Sequence, residues 1–470
     1  MIDLIIIVGY FLVMLFVGWR SRFQSAECYW VAERRYQTSR ITISLVATIF
    51  GASSTMGIIG LGYSRGLTGA WWSLIGGIAL IPFALILASR VRTLEVYTLP
   101  DILKNAYGER VGIPAGIMIA VAWCGVISAQ LIAAGRLLEG LFSLDSRFAL
   151  VTVAVVFTLY TYWGGQLSVI RTDFWQFILF MGGLFVSMVF LISSQGSISA
   201  LWKNIPVEHL SFPVSPIFGW YEVLVFYPLI VGLPYLVGPD IYSRVLCAQD
   251  NQVARISALQ AALIVIPLSF LLAFFGLLAR AQFPGVPAEA ALPETINVLM
   301  PMGLKGLIAA GFLGAIMSSA DTCIISASTI LTLNVIRPFY KASQESHLKI
   351  SRVAVLALGV TACLIASQQK GIISSLLLGY TVFVGGVVFP TLATFAQKHL
   401  RVTSWGALWA IVIGGGTAIL GKINGGALMK AILTQHGQEF LQMLLGVHYL
   451  SILPIVLSLA VMMGVSRITR

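Results

Sequence analysis

The chain has 470 residues, 58% of them hydrophobic and 10% charged, with a mean hydropathy of +0.92. A soluble domain carries about 25% charged residues, so most of this surface faces hydrocarbon, and apolar runs of about 20 residues exclude a membrane β-barrel, whose strands show about 10 residues of alternation. The net charge of +11 does not mark a nucleic-acid binder, because the Lys and Arg residues sit in short loops between apolar runs, where they act as topology signals.

The chain is read as all-α and polytopic, with about thirteen transmembrane helices at 2–19, 41–64, 69–89, 112–135, 148–163, 172–194, 217–238, 257–279, 306–333, 351–369, 372–396, 403–421 and 447–466. The first apolar run ends at Arg20 and Arg22 with no small-residue cleavage site, so it reads as a retained helix rather than a signal peptide. With the N-terminus outside, the cytoplasmic loops and tail hold 20 Lys and Arg against 9 in the outer loops. The expected orientation is therefore N-terminus outside and C-terminus cytoplasmic, in the plasma (inner) membrane. The polar connections 193–219, 280–305, 337–352 and 422–446 are too short for a separate soluble domain. Cys28, Cys124, Cys247, Cys323 and Cys363 are scattered, without metal-binding spacing.

The second segment carries Ala47-Thr-Ile-Phe-Gly-Ala-Ser-Ser-Thr-Met-Gly57 at its centre. Small and hydroxyl residues there fit either close helix packing or backbone unwound beside a water-filled cavity. In the fourth segment, Arg136 and Glu139 are expected to pair at the outer interface, and Trp123 and Gln130 can line a cavity. Asp173 begins the sixth segment; it can pair with Arg171, cap its helix, or serve a cation. The seventh segment is interrupted by Pro228, Gly232, Pro234, Gly238 and Pro239, and contributes Glu222, Tyr227 and Tyr235; Tyr380 follows in the eleventh. Five segments separate the two interruptions. If each opens a five-helix repeat, the odd number inverts the second copy, and broken helices at matching places point to a binding site.

The ninth segment holds Ala315-Ile-Met-Ser-Ser-Ala-Asp-Thr322. A carboxylate in mid-membrane costs roughly 2.5–3.5 kcal/mol, and there is no basic residue between Lys305 and Arg337 to offset it. Ser318, Asp321 and Thr322 share a face at spacings of three and four. Hydroxyl, carboxylate and carbonyl oxygens are hard ligands suited to Na⁺. The alternatives are hydroxyls bonded back to the preceding turn and a protonated packing carboxyl.

Together these residues resemble the sodium:solute symporter family, whose members carry sugars, proline, pantothenate and sialic acid. Ala47–Gly57 looks like the family's first core helix, Gly164-Gly165 with Thr172-Asp173 and Gln176 matches its Gly-Gly…Thr-Asp…Gln signature, Gly238–Arg244 its seventh-span ending, and Ala315–Ser319 followed by Ser326-Ala-Ser-Thr329 its sodium-site helix. The resemblance implies a LeuT-type fold of five-plus-five inverted helices, divided as 1–40 (extra helix and loop), 41–195 (first repeat), 215–396 (inverted repeat) and 403–470 (two further helices). It implies a sodium site at the Ala52 and Thr55 carbonyls, the Ala315 carbonyl and the Ser318 and Ser319 hydroxyls; an ungapped alignment moves the first two to Ala47 and Phe50. A second cation, sodium or proton, is implied at Asp173, Ser318, Asp321 and Thr322, although members with that site often have Ser or Thr where Asp321 stands. The proline carrier's substrate-contacting Trp is Val231 here, and the sugar carriers' Glu-Gln pair has no counterpart in 53–57. A small organic solute is expected near Ser53, Ser54, Met56, Gln130 and Tyr235.

The function expected is sodium-coupled import of that solute by alternating access, with the bilayer, sodium and the solute as partners and no obligate protein partner. Proton coupling on the same fold is the alternative. A solute sensor needs a signalling domain that the sequence does not show. An enzyme is not expected, since there is no His-rich cluster, nucleophile–base pair or HExxH.

Overall fold

Where apolar residues run on without charges, backbone N–H and C=O groups have no water to bond and satisfy each other along the chain. The computed structural model, which describes residues 1–194, 205–369, 371–422, 427–433 and 435–470, is accordingly helical nearly throughout. The repeat boundary at residue 195 and parts of the 193–219 and 422–446 connections lie outside the described residues. Ten helical stretches among the described residues are long and apolar enough to cross a membrane, and two apolar helices, Thr38–Ile49 and Ser404–Leu420, are shorter. The stretch Ser53–Thr93 turns at Gly66–Ala70, and Ser146–Ser193 kinks at Gly165 (φ 58°, ψ −170°), so each covers parts of two of the apolar segments.

We label the helices that build the centre of the molecule α1 (Ile2–Arg20), α2 (Thr38–Ile49), α3 (Ile58–Arg65), α4 (Glu109–Phe142), α5 (Ser146–Ser193), α6 (Leu233–Val237), α7 (Pro239–Val245), α8 (Asn251–Gln282) and α9 (Leu304–Ile330). Asp145 caps α5 by accepting from Phe148 N–H at 3.0 Å, and Asp250 caps α8 through Val253 N–H at 2.8 Å. The kink in α5 requires glycine, because the left-handed φ at Gly165 excludes a side chain at low cost. Gln24 closes over it, donating from Nε2 to Gly164 O at 2.7 Å.

The central element is α9. Its apolar window is buried along its whole length, by α5, α4 and α1 above all. A helix enclosed by other helices meets no lipid, so its Ser, Asp and Thr side chains can face protein on every side.

The two interruptions differ in form. The first is a true break between α2 and α3. In the seventh segment the chain stays wound from Glu222 to Val237 in wide turns and opens only at Gly238 (φ −61°, ψ 133°), between α6 and α7. Wide i→i+5 turns already forgo the i→i−4 ladder, so Pro228 and Pro234 sit there without breaking the helix.

Candidate functional site

The first break begins where Phe50 N–H bonds Val46 O at 2.9 Å and Phe50 then takes φ −82°, ψ 49°. Ala52 N–H leaves the helical ladder and donates sideways to Gln130 Oε1, on α4, at 2.7 Å. The chain recovers as one wide turn over Ser53–Gly57, closed by Gly57 N–H on Ala52 O at 2.9 Å, and continues into α3. The last carbonyls of a helix have no partner within it, so those from Ala47 onward are released. Ala52 O and the Thr55 hydroxyl are held inside the turn, the latter donating to Gly51 O at 2.7 Å. Gly51 marks the point where α2 touches α9. A Cβ there would fall against Ser319 Oγ and lie 2.6 Å from Gln130 Oε1.

A cavity opens beside this break. Ser53, Ser54, Gln130 and Tyr235 line it, as do Ser319 and Asp240. Met56 is buried and does not line it. Ser54 Oγ accepts from Ser73 Oγ at 2.7 Å, and the Tyr235 ring packs over Gly76. The cavity measures about 20 Å³, room for one water, so a solute enters only when a flank opens. One flank is tied by Arg65, which donates to the Tyr227 phenol at 2.7 Å and stacks 4.2 Å over Phe218. On the same flank Glu289 pairs with Arg136 and accepts Ile372 N–H at 3.0 Å. The expected Arg136–Glu139 pair is replaced by this contact. The loop carrying Glu289 folds over the end of α4, where Arg136 is half-buried, while Glu139 accepts from Ser146 at 3.0 Å.

The ionic centre lies beside this cavity and shares Thr48 with it. Asp173 Oδ1 accepts from Ser318 Oγ at 2.6 Å, and Oδ2 accepts from Ser44 Oγ. Arg244, from the end of α7, brings Nη2 to 3.7 Å from Asp173 Oδ2. It also donates from Nε to Thr48 Oγ1 at 3.1 Å and from Nη2 to Thr322 Oγ1. Asp321 turns away; its Oδ1 accepts from Thr161 Oγ1 at 2.7 Å and its buried Oδ2 has no hydrogen-bond partner. Of the four residues read as a second cation site, Asp173, Ser318 and Thr322 come together around the Arg244 guanidinium, and Asp321 stands apart on Thr161. The Asp173–Arg171 pairing left open above gives way to Asp173–Arg244.

The set read as the sodium site is divided. Ser319 faces the break, Ser318 is bonded to Asp173, and Ala315 is buried one turn away on α9. Sequence reasoning missed Ser44, Thr48, Arg244 and Asp240. A signal existed for Arg244, the one basic residue in Glu222–Val245, since an arginine inside an apolar span needs a partner.

A profile described as Sodium:solute symporter family matches residues 29–414. The osmoregulated proline transporter OpuE of Bacillus subtilis (strain 168) is 26% identical over 441 residues, covering 89% of this chain and 88% of that protein. The sodium/myo-inositol cotransporter 2 of Rattus norvegicus is 29% identical over 405 residues; the match takes in 76% of this chain and 60% of the relative's length. Among solved structures, a substrate-bound, outward-open Na⁺-coupled sialic acid symporter superposes with a TM-score of 0.79 at 17% identity, over 100% of this chain and 98% of that one. MhsT in complex with L-phenylalanine gives a TM-score of 0.56 at 14% identity, over 92% and 99%. At these identities the structures speak to the fold alone.

Proposed function

The chain belongs to the sodium:solute symporter family, with the all-α fold of LeuT-type transporters, and we propose that it imports a small organic solute together with sodium by alternating access. The observation that carries this is the contact of the α2 break with Ser319 of α9. It sets released carbonyl oxygens beside hydroxyls, next to the cavity lined by Ser53, Ser54 and Gln130. That donor set suits sodium, which takes hydroxyl and carbonyl oxygens without needing a carboxylate. We assign the ion to the carbonyls at the end of α2, near Ala47 and Phe50, and to Ala315, Ser318 and Ser319. The Ala52 and Thr55 placement is less favoured because the Ala52 carbonyl is already bonded.

Sodium drives the cycle only if it binds one conformation more tightly than another. The α2 break supplies such a difference, since any tilt of α2 against α9 separates carbonyls from hydroxyls. Solute meets Ser53, Ser54, Gln130 and Tyr235 in the adjoining cavity, with Met56 behind them. At the position read as a second cation site, Arg244 supplies the positive charge, so one sodium suffices. The N-terminus is outside and the C-terminus cytoplasmic, as the loop charges require.

The test is a thermal-unfolding screen of purified protein against small metabolites, with sodium and with potassium. A ligand that stabilises in sodium alone supports the reading, and Ser319→Ala should then raise the sodium needed for half-maximal stabilisation. Uptake into proteoliposomes that ignores sodium and collapses with the pH gradient would replace sodium by protons.

A further inference from the structure

The cavity beside the α2 break carries one carboxylate and no base. Asp240 lines it, in the first turn of α7 just past the opening at Gly238, and no Lys, Arg or His lines it. Asp240 keeps partial surface exposure and lines the cavity. Arg244, one turn further on, makes its contacts with Asp173, Thr48 and Thr322; its charge reaches Asp240 only through space. No ion pair to Asp240 forms among the described residues, as one does for Asp173. The rings of Tyr235 and Tyr380 line the same space, and aromatic faces attract cations. A buried carboxylate with no cation in contact is costly, and the cavity is where a contacting cation can arrive.

We propose that the transported solute presents a positively charged nitrogen, a protonated or quaternary amine, which pairs with Asp240 between Tyr235 and Tyr380. The inference rests on reading this cavity as the solute site, and it narrows that site to a chemical class. Amines, zwitterionic amino acids and betaine-like compounds belong to the class. A neutral polyol, or an acid without an amine, leaves Asp240 unpaired and adds no favourable contact to offset its own desolvation.

Cys323 lines the same cavity and gives a test that needs no knowledge of the solute. Purified full-length protein is treated with two methanethiosulfonate reagents of similar size, one ending in trimethylammonium and one in sulfonate. Each rate is normalised to that with a small free thiol, and the Cys323 component is the part removed by Cys323→Ser. The cationic reagent should modify Cys323 at least tenfold faster, Asp240→Asn should bring the two rates together, and Asp240→Glu should restore the difference. Equal rates, or a faster sulfonate, in the unmodified protein would overturn the proposal, whatever the fate of the variants. If neither reagent reaches Cys323, the cavity is not the solute's path and the proposal falls with it. Dependence of the rates on sodium is scored separately. Cation preference without any sodium effect would leave the amine class standing and remove the sodium reading.

Discussion

Arg244 Nη2 stands 3.7 Å from Asp173 Oδ2, and neither side chain has any exposure to solvent. The pair joins α7, which follows the opening at Gly238, to α5. Through Thr48 and Thr322 it also holds α2 and α9. Four helices thus meet at a single guanidinium.

Removing one partner of a buried pair leaves an uncompensated charge, at a cost of about 3–5 kcal/mol. Arg244→Ala is therefore expected to lower the thermal unfolding midpoint strongly. The double variant Arg244→Gln with Asp173→Asn should be less affected than Arg244→Ala, because it leaves no lone charge. Thermal unfolding in detergent of the unmodified protein, Arg244→Ala, Arg244→Gln, Asp173→Asn and the double variant checks this, and additivity of Arg244→Gln and Asp173→Asn in the double variant would refute the pairing.

If Arg244 stands in for a second cation, the unmodified protein binds one sodium per chain. Arg244→Gln, with Asp173 retained, should bind two, and adding Asp173→Asn should return the count to one. Equilibrium binding of radiolabelled sodium reads the number directly. Two ions in the unmodified protein would show that the guanidinium gives way to a metal.

Gly51 has no room for a methyl group beside Ser319 Oγ and Gln130 Oε1. Gly51→Ala should force the α2 break away from α9 and raise the sodium concentration for half-maximal stabilisation by about tenfold, equivalent to 1.4 kcal/mol. Sodium titrations followed by thermal unfolding will register the shift, while folding of the rest of the chain should persist. An unchanged titration would detach sodium from this contact.

Gln130 Oε1 accepts the Ala52 N–H that leaves the helical ladder. Gln130→Leu strands that buried donor, at a cost of about 1–3 kcal/mol. The effect should appear both as lower thermal stability and as weaker solute binding, because the same side chain lines the cavity. Loss of solute binding with full stability would mean that Gln130 acts on the solute alone.

Glu289 ties its loop to α4 through Arg136 and to the helix Ile372–Phe383 through Ile372 N–H. Glu289→Ala should loosen this flank and speed labelling of Cys323 by a membrane-impermeant thiol reagent added outside, by several-fold. Labelling in right-side-out proteoliposomes checks the flank and the orientation together. Acceleration only from the inner side would reverse the topology.

Much of this architecture is local, and local physics is legible. Long uncharged runs can only be helices in lipid, so the helical segments follow from hydropathy. The small and hydroxyl residues near Gly51, where Leu and Val are expected, admitted the break without excluding close packing, and Ser318, Ser319 and Asp321 marked a polar face on a helix in an apolar run. Proline was the misleading signal. Pro228 and Pro234 suggest a long interruption, but wide turns absorb them and the helix opens at Gly238 alone.

By itself the sequence determined that this chain is a helical membrane protein with a hydroxyl-bearing helix, because residue spacing along one helix fixes which side chains share a face; it left the Ala47–Gly57 stretch open between close packing and unwound backbone. Only the tertiary structure decided their partners. It gave Asp173 to Arg244 rather than Arg171, left Asp321 with Thr161, joined Arg136 to Glu289 rather than Glu139, and turned Asp240 into the cavity. Those choices depend on how helices far apart in sequence pack, and charge or spacing within one segment carries no record of which neighbour will lie across from it.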